Sequence, residues 1–156
     1  MKFRGFITFV LIVITASYNL LLSQNTLNIS IKNIELLEGE IFVSLSNDST
    51  EFPGEIFNSK MMQRKMVAEH SMQFIYENLP DGDYAIAVFQ DLNQNEELDT
   101  RKFGIPAEPF AFSKDALKKF GPPHFKQAKF SLVGGRSHQE ELNLIYRKPK
   151  NNNKSQ

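Results

Sequence analysis

Between residues 24 and 146 the chain alternates apolar and polar positions in short runs, with no long apolar stripe at helical spacing. Leu27, Ile29 and Ile31 alternate with Asn28, Ser30 and Lys32, the period-two pattern of a strand with one face buried. Ile41, Val43 and Leu45 repeat it against Phe42, Ser44 and Ser46, and so do Met72, Phe74 and Tyr76. Tyr84, Ile86 and Val88 alternate with Ala85, Ala87 and Phe89; Phe130 and Leu132 make a shorter run, and Leu142, Leu144 and Tyr146 the last. A further strand is expected over Met62 to Ala68. Turn residues separate these runs at Glu38-Gly39, Pro53-Gly54, Pro80-Asp81-Gly82 and Gly134-Gly135. About seven short strands in one domain over residues 24–146 predict an all-β fold, an immunoglobulin-like or transthyretin-like β-sandwich.

The segment from Asp91 to Phe125 breaks the pattern and is far longer than an ordinary connection. Its density of Phe and Pro predicts an ordered loop, in which Ser113 caps one short helix over Lys114 to Lys119. Phe120-Gly121-Pro122-Pro123 reads as a rigid turn placing Phe120 and Phe125 in the core. Residues 147–156 are polar and are expected to be a disordered tail.

The first 23 residues differ in kind. Lys2 and Arg4 precede an apolar stretch from Phe6 to Ala16, and Ser23 follows Leu20-Leu21-Leu22. This is the layout of a secretory signal peptide, with cleavage expected between Ser23 and Gln24, although Leu21 is larger than the usual small residue at its position. A retained membrane anchor is the alternative, but Phe6 to Leu22 falls short of the roughly 20 apolar residues that span a bilayer and is interrupted by Thr15, Ser17 and Asn19. The mature chain is therefore expected to be periplasmic or extracellular, without a membrane span, and monomeric.

The chain has 18 Lys plus Arg and 18 Asp plus Glu, and the leader takes two of the positive charges. That balance argues against nucleic-acid binding, which needs a clustered basic face. The absence of cysteine removes disulfides, thiolate metal sites and a cysteine nucleophile.

One stretch carries candidate chemistry. Asp91, Asn93, Asn95 and Asp99 place side-chain oxygens at relative positions 1, 3, 5 and 9 of a loop, the spacing that opens an EF-hand and suits a hard cation such as calcium. Glu96 replaces the usual glycine at position 6, Lys102 replaces the bidentate Glu at position 12, and a strand rather than a helix precedes the loop. Two carboxylates and two amides predict weak binding, with Kd of ~10⁻⁴ to 10⁻³ M. The competing interpretation is an Asx-rich turn whose side chains bond their own backbone.

Residues Leu79 to Phe130 resemble the domain of unknown function 2141 family of secreted bacterial proteins. The resemblance rests on Tyr84 to Asp91, Asn93 to Asn95, Gly104-Ile105-Pro106 with Glu108, Phe112-Ser113, and Phe120-Gly121-Pro122-Pro123-His124-Phe125 with Ala128 and Phe130. Glu96, Pro109 and Ala111 depart from the glycines common there. The resemblance implies export and a sandwich, and no reaction.

No Gly-x-Ser-x-Gly or His-Glu-x-x-His motif accompanies His70, His124 and His138. The domain is thus expected to be non-enzymatic, with an envelope protein or a glycan as its partner. The alternatives are a small hydrolase using the loop around His124, next to Asp91, Asp99 and Glu108, and a carbohydrate-binding module using Phe103, Phe110 and Phe112. The lack of Trp weighs against the latter.

Overall fold

A computed structural model describes residues 24–53, 61–117 and 121–147, with the side chain of Phe103 excepted. The expected leader, residues 148–156 of the expected tail, Phe120 and the end of the expected 114–119 helix lie outside the described residues. Among those described, no helix is long and apolar enough to cross a membrane.

The fold is all-β. Strands β1 (Asn25–Lys32), β4 (Met72–Leu79) and β10 (Ser137–Asn143) form a three-stranded sheet in the order β10-β1-β4, with β1 antiparallel to β4 and parallel to β10. The second sheet runs β3 (Met62–Met66), β2 (Glu40–Ser46), β5 (Gly82–Asp91), β8 (Phe110–Phe112). Strand β9 (Phe130–Leu132) also pairs with β5, at its start, Gly82–Tyr84, ahead of the Ala87–Phe89 stretch that pairs with β8. A small hairpin joins β6 (Thr100–Arg101) to β7 (Ile105–Pro106).

Strand β1 keeps the strict alternation of its sequence. Leu27, Ile29 and Ile31 are fully buried and meet Phe74, Tyr76, Val43, Leu45, Ile86 and Val88 between the two sheets. Strands β2 and β5 do not alternate, because nearly every position in both is buried. Their second face carries Phe42 stacked on Phe89 at 4.8 Å, flanked by Ala85 and Ala87. Phe52, Phe110, Phe112, Ala116 and Ala128 cover that face as a second core, with Leu98, Phe125 and Ile145 at its margin. The long segment after Asp91 is thus the lid of this second core.

Three local expectations change. The segment from Asp91 to Phe125 contains β6, β7 and β8, whose two or three residues are too few to show a period. The last strand lies earlier than Leu142 to Tyr146, since β10 pairs with β1 from Ser137 onward through polar residues, and Ile145 makes an isolated bridge with Phe110. Ser113 caps no helix: it opens a single 3₁₀ turn, Ser113–Asp115, with Lys114 in left-handed backbone. Its buried hydroxyl accepts from the Ile86 amide at 2.9 Å and donates to the Ala128 carbonyl at 2.7 Å. The Ile86 amide lies between the last rung of β8 and the first of β9, so Ser113 supplies the acceptor that the interrupted edge lacks. A four-residue helix, Phe125–Ala128, escaped the sequence pattern.

Two variants test this packing by thermal or urea melts. Val88→Asp buries an unpaired charge between the sheets and should destabilise by several kcal/mol, enough to unfold a domain of ordinary stability. Ser113→Ala strands two buried backbone groups and should cost about 1 to 3 kcal/mol; an unchanged melting temperature would contradict its place as the joint between β8 and β9.

Candidate functional site

Strand β5 ends at Asp91, which is 1 % exposed although it bears a carboxylate. The side chain stays buried because the loop that follows wraps around it. Asp91 Oδ1 accepts the amides of Gln94 at 2.7 Å and Asn95 at 3.3 Å, and Oδ2 accepts that of Glu96 at 2.8 Å. The same device repeats along the loop. Asn93 Oδ1 accepts the Asn95 amide at 3.2 Å, and Asn95 Oδ1 the Glu97 amide at 2.9 Å. These successive Asx turns bend the chain tightly enough that Gln94 and Glu96 take positive φ, 61° and 63°.

The structure brings all four sequence-derived residues into this one loop. Asp99 closes it, accepting the side-chain amides of Asn93 at 2.8 Å and Asn95 at 3.3 Å. A residue missing from that set completes the ring. Glu108 is 5 % exposed and accepts the Leu92 amide on one oxygen, at 2.8 Å, and the Asp99 amide on the other, at 3.0 Å, so it clasps both ends of the loop. Its sequence distance from the loop hid that role: the sequence marked it only after Gly104-Ile105-Pro106 and as a carboxylate near His124, not as a clasp on the loop.

Three further contacts seat the loop on the sheet. Gly39, at φ 71°, passes so close to β5 that a Cβ there would lie 2.0 Å from the Asp91 carbonyl oxygen. Gln90 donates to the carbonyls of Leu36 and Glu38, both at 2.8 Å, and accepts the Tyr146 hydroxyl at 3.2 Å. Arg64 on β3 pairs with Glu96 and lies 3.8 Å from Glu40, above the Phe42 ring.

Chemically the loop offers oxygens from two carboxylates and two amides, each already accepting at least one hydrogen bond and each with lone-pair capacity left. Among the described residues no three His, Cys, Asp or Glu side chains are grouped so as to hold a metal ion. No ion pair among those residues neutralises Asp91, Asp99 or Glu108. Burial, with the nearby charges of Asp91 and Asp99 adding to it, pushes the Glu108 carboxyl above its ordinary range, against the lowering effect of its two backbone hydrogen bonds.

The structure separates His124 from these carboxylates. It is exposed and precedes Phe125, whose ring packs on Phe52 at 5.9 Å, and Phe52 packs in turn on Phe112. Asp91 pairs with Glu40 at the far end of β5 from Gly82–Tyr84, where β9 joins the sheet. Among the described residues no hydrogen bond or ion pair joins His124 to Asp91, Asp99 or Glu108, and the short helix that His124 precedes leads into β9 at the opposite end of β5 from Asp91. His70 Nδ1 lies 2.6 Å from the Ile34 carbonyl oxygen, bracing the β1–β2 loop. His138 stands opposite Leu27. Phe110 and Phe112 are 3 % and 9 % exposed within the second core, so they present no platform for a sugar ring.

Two substitutions read the loop's electrostatics and strain. An acid with a raised folded-state pKa contributes stability that is full below its ordinary value of 4.5 and is lost as pH rises through the folded value. The melting-temperature advantage of wild type over Glu108→Gln should therefore be full below about pH 4.5 and shrink as pH rises above it, and a constant difference would contradict the assignment. Glu96→Gly should stabilise by about 1 kcal/mol, since relief of left-handed strain outweighs loss of an exposed ion pair.

No curated protein and no solved structure matches this chain. One family model does, over residues 29–140, a stretch from β1 through β10 that includes the whole loop and its Glu108 clasp. The chain belongs to that family, DUF2141, described as an uncharacterized protein conserved in bacteria.

Proposed function

We propose that this chain is an exported, non-enzymatic β-sandwich domain whose Asp91 to Asp99 loop takes a calcium ion weakly, stiffening one end of the domain for structure or partner recognition at the cell envelope. Export rests on the charge-then-apolar leader before Gln24. The non-enzymatic reading is supported by the place of His124 before the short helix that leads into β9, at the other end of β5 from Asp91.

The observation that carries the calcium reading is the buried Asp91 carboxylate at the head of successive Asx turns, with Asn93, Asn95 and Asp99 gathered in the same nine-residue loop and uncompensated by any described ion pair. Oxygen donors at alternate positions of a tight loop suit a hard cation, and the few charges account for weak affinity. A second reading has its own support: every one of these oxygens already accepts a hydrogen bond, so the loop is also complete as an Asx-rich turn.

Thermal melts separate the two. With Kd of about 0.2 mM, about 2 mM free calcium stabilises by roughly 1.4 kcal/mol, which raises the melting temperature by a few degrees. Asp99→Asn should abolish that shift while leaving every backbone acceptor of the loop in place and one of the two side-chain acceptors at position 99, and magnesium should do less because it demands stricter octahedral geometry. Asp91→Ala is the poorer probe, since it also removes the acceptor of three backbone amides. Absence of any calcium-dependent shift in wild type would leave the loop as a self-satisfied turn.

A further inference from the structure

The end of the sandwich that carries the Asp91 loop also carries an apolar surface that the loop leaves unused. The β1–β2 and β3–β4 connections run side by side there: the Val67 amide donates to the Gly39 carbonyl at 3.0 Å, and the Ile34 amide to the His70 carbonyl at 3.3 Å. Leu36 and Leu37, in the first connection, are 41 % and 50 % exposed, and Met66, opposite Glu40 at the end of β3, is 57 % exposed. A loose chain is not the cause. Gln90 holds the carbonyls of Leu36 and Glu38, on either side of Leu37, the Tyr146 hydroxyl accepts the Glu35 amide at 2.7 Å, and Gly39 is pressed against the Asp91 carbonyl. Two leucines thus face water from fixed backbone, so a partner that covers them meets little ordering cost.

Charge of one sign edges this surface. Glu35, Glu38 and Glu69 are exposed, none of the three is in an ion pair among the described residues, and neither 33–40 nor 66–71 contains Lys or Arg. The two cations of β3 are committed elsewhere, Arg64 to Glu40 and Glu96, and Lys65 to the Gln73 carbonyl. An anionic membrane would be repelled by this rim, and a second copy would bring the same glutamates together. We propose that this end of the domain docks a segment of another protein in which apolar residues are flanked by Lys or Arg, with Leu36 and Leu37 as anchors and Glu35, Glu38 and Glu69 as the rim. The leucines supply affinity, while the rim supplies orientation and makes binding sensitive to salt. None of these side chains is an oxygen donor of the Asp91 loop, so docking does not depend on calcium.

The test uses protein purified from cells expressing the full 156-residue chain, kept in chelator, and a fluorescein-labelled decapeptide with a central Leu-Leu-Phe run flanked by lysines, read by anisotropy. Circular dichroism establishes that each variant is folded. Leu36→Ser combined with Leu37→Ser should weaken binding at least about tenfold. Ile75→Ser, at an exposed position of β4 outside this surface, should leave it unchanged. Raising salt from about 50 mM to about 300 mM should weaken wild-type binding severalfold, and Glu35→Gln with Glu38→Gln should remove most of that dependence. Peptides with serines in place of the apolar run, or glutamates in place of the lysines, should not bind. Equal affinity of wild type and the leucine double variant, or no binding at millimolar peptide, would overturn the proposal. So would concentration-dependent dimers, or binding to neutral phosphatidylcholine vesicles, that the leucine variant loses, since these would assign the surface to a second copy or to a membrane.

Discussion

Burial of β5 on both faces is the constraint on which the rest of the structure depends. A strand with one wet face needs one partner layer, but β5 has Ile86 and Val88 against the three-stranded sheet and Ala85, Ala87 and Phe89 under a second layer. The chain supplies that layer from the segment after Asp91, which crosses the sheet as β8, turns at Ser113 and returns to the β5 edge as β9. In the pairing of β5 with β8, Phe112 stands opposite Ala87 and Phe110 opposite Phe89, on which Phe42 stacks. An apolar lid of this kind follows from the hydrophobic effect: without it, the Phe-rich face would stand in water.

The same constraint positions the candidate site. Because β5 is immobilised on both faces, its last residue emerges from the core with a fixed direction, and Asp91 meets the amides of its own loop while still buried. Gly39 and Gln90 fasten the β1–β2 loop against the end of β5. Glu108, delivered by the start of the lid, ties Leu92 to Asp99. The loop is consequently preorganised, with its oxygens gathered by packing and backbone hydrogen bonding before any ligand is considered.

Much of this was legible in the sequence where a strand has one wet face. The alternation in β1 and the apolar triplet Met72, Phe74, Tyr76 each read directly as strands and were found as such. The second face of β2 and β5 was harder, because Ser44, Ser46, Ala85 and Ala87 look neutral in a period-two pattern until the covering residues are known. Ser113 invited a helix-cap reading since local chemistry favours it, whereas its actual partners, Ile86 and Ala128, are set by tertiary packing. For the loop, the spacing Asp91, Asn93, Asn95, Asp99 exposed four members, while the ties of Glu108 and Gly39 to it were hidden, because no local period links those residues to the loop. His124 and the loop were linked only by sequence, and nearness in sequence within the lid does not put two residues at the same end of β5.

The central claim, that lid and sandwich are one cooperative unit joined through β5, is tested most directly by native-state hydrogen exchange read residue by residue in rising denaturant. The account predicts that the amides linking lid to sandwich, Ile86 to Ser113, Gln90 to Pro109 and Ile145 to Phe110, exchange with the same free energy as the Leu27 to Ile31 amides of β1, through global unfolding. If those linking amides instead open several kcal/mol below the β1 amides, the lid detaches on its own, and the rigid seating of the Asp91 loop would be contradicted.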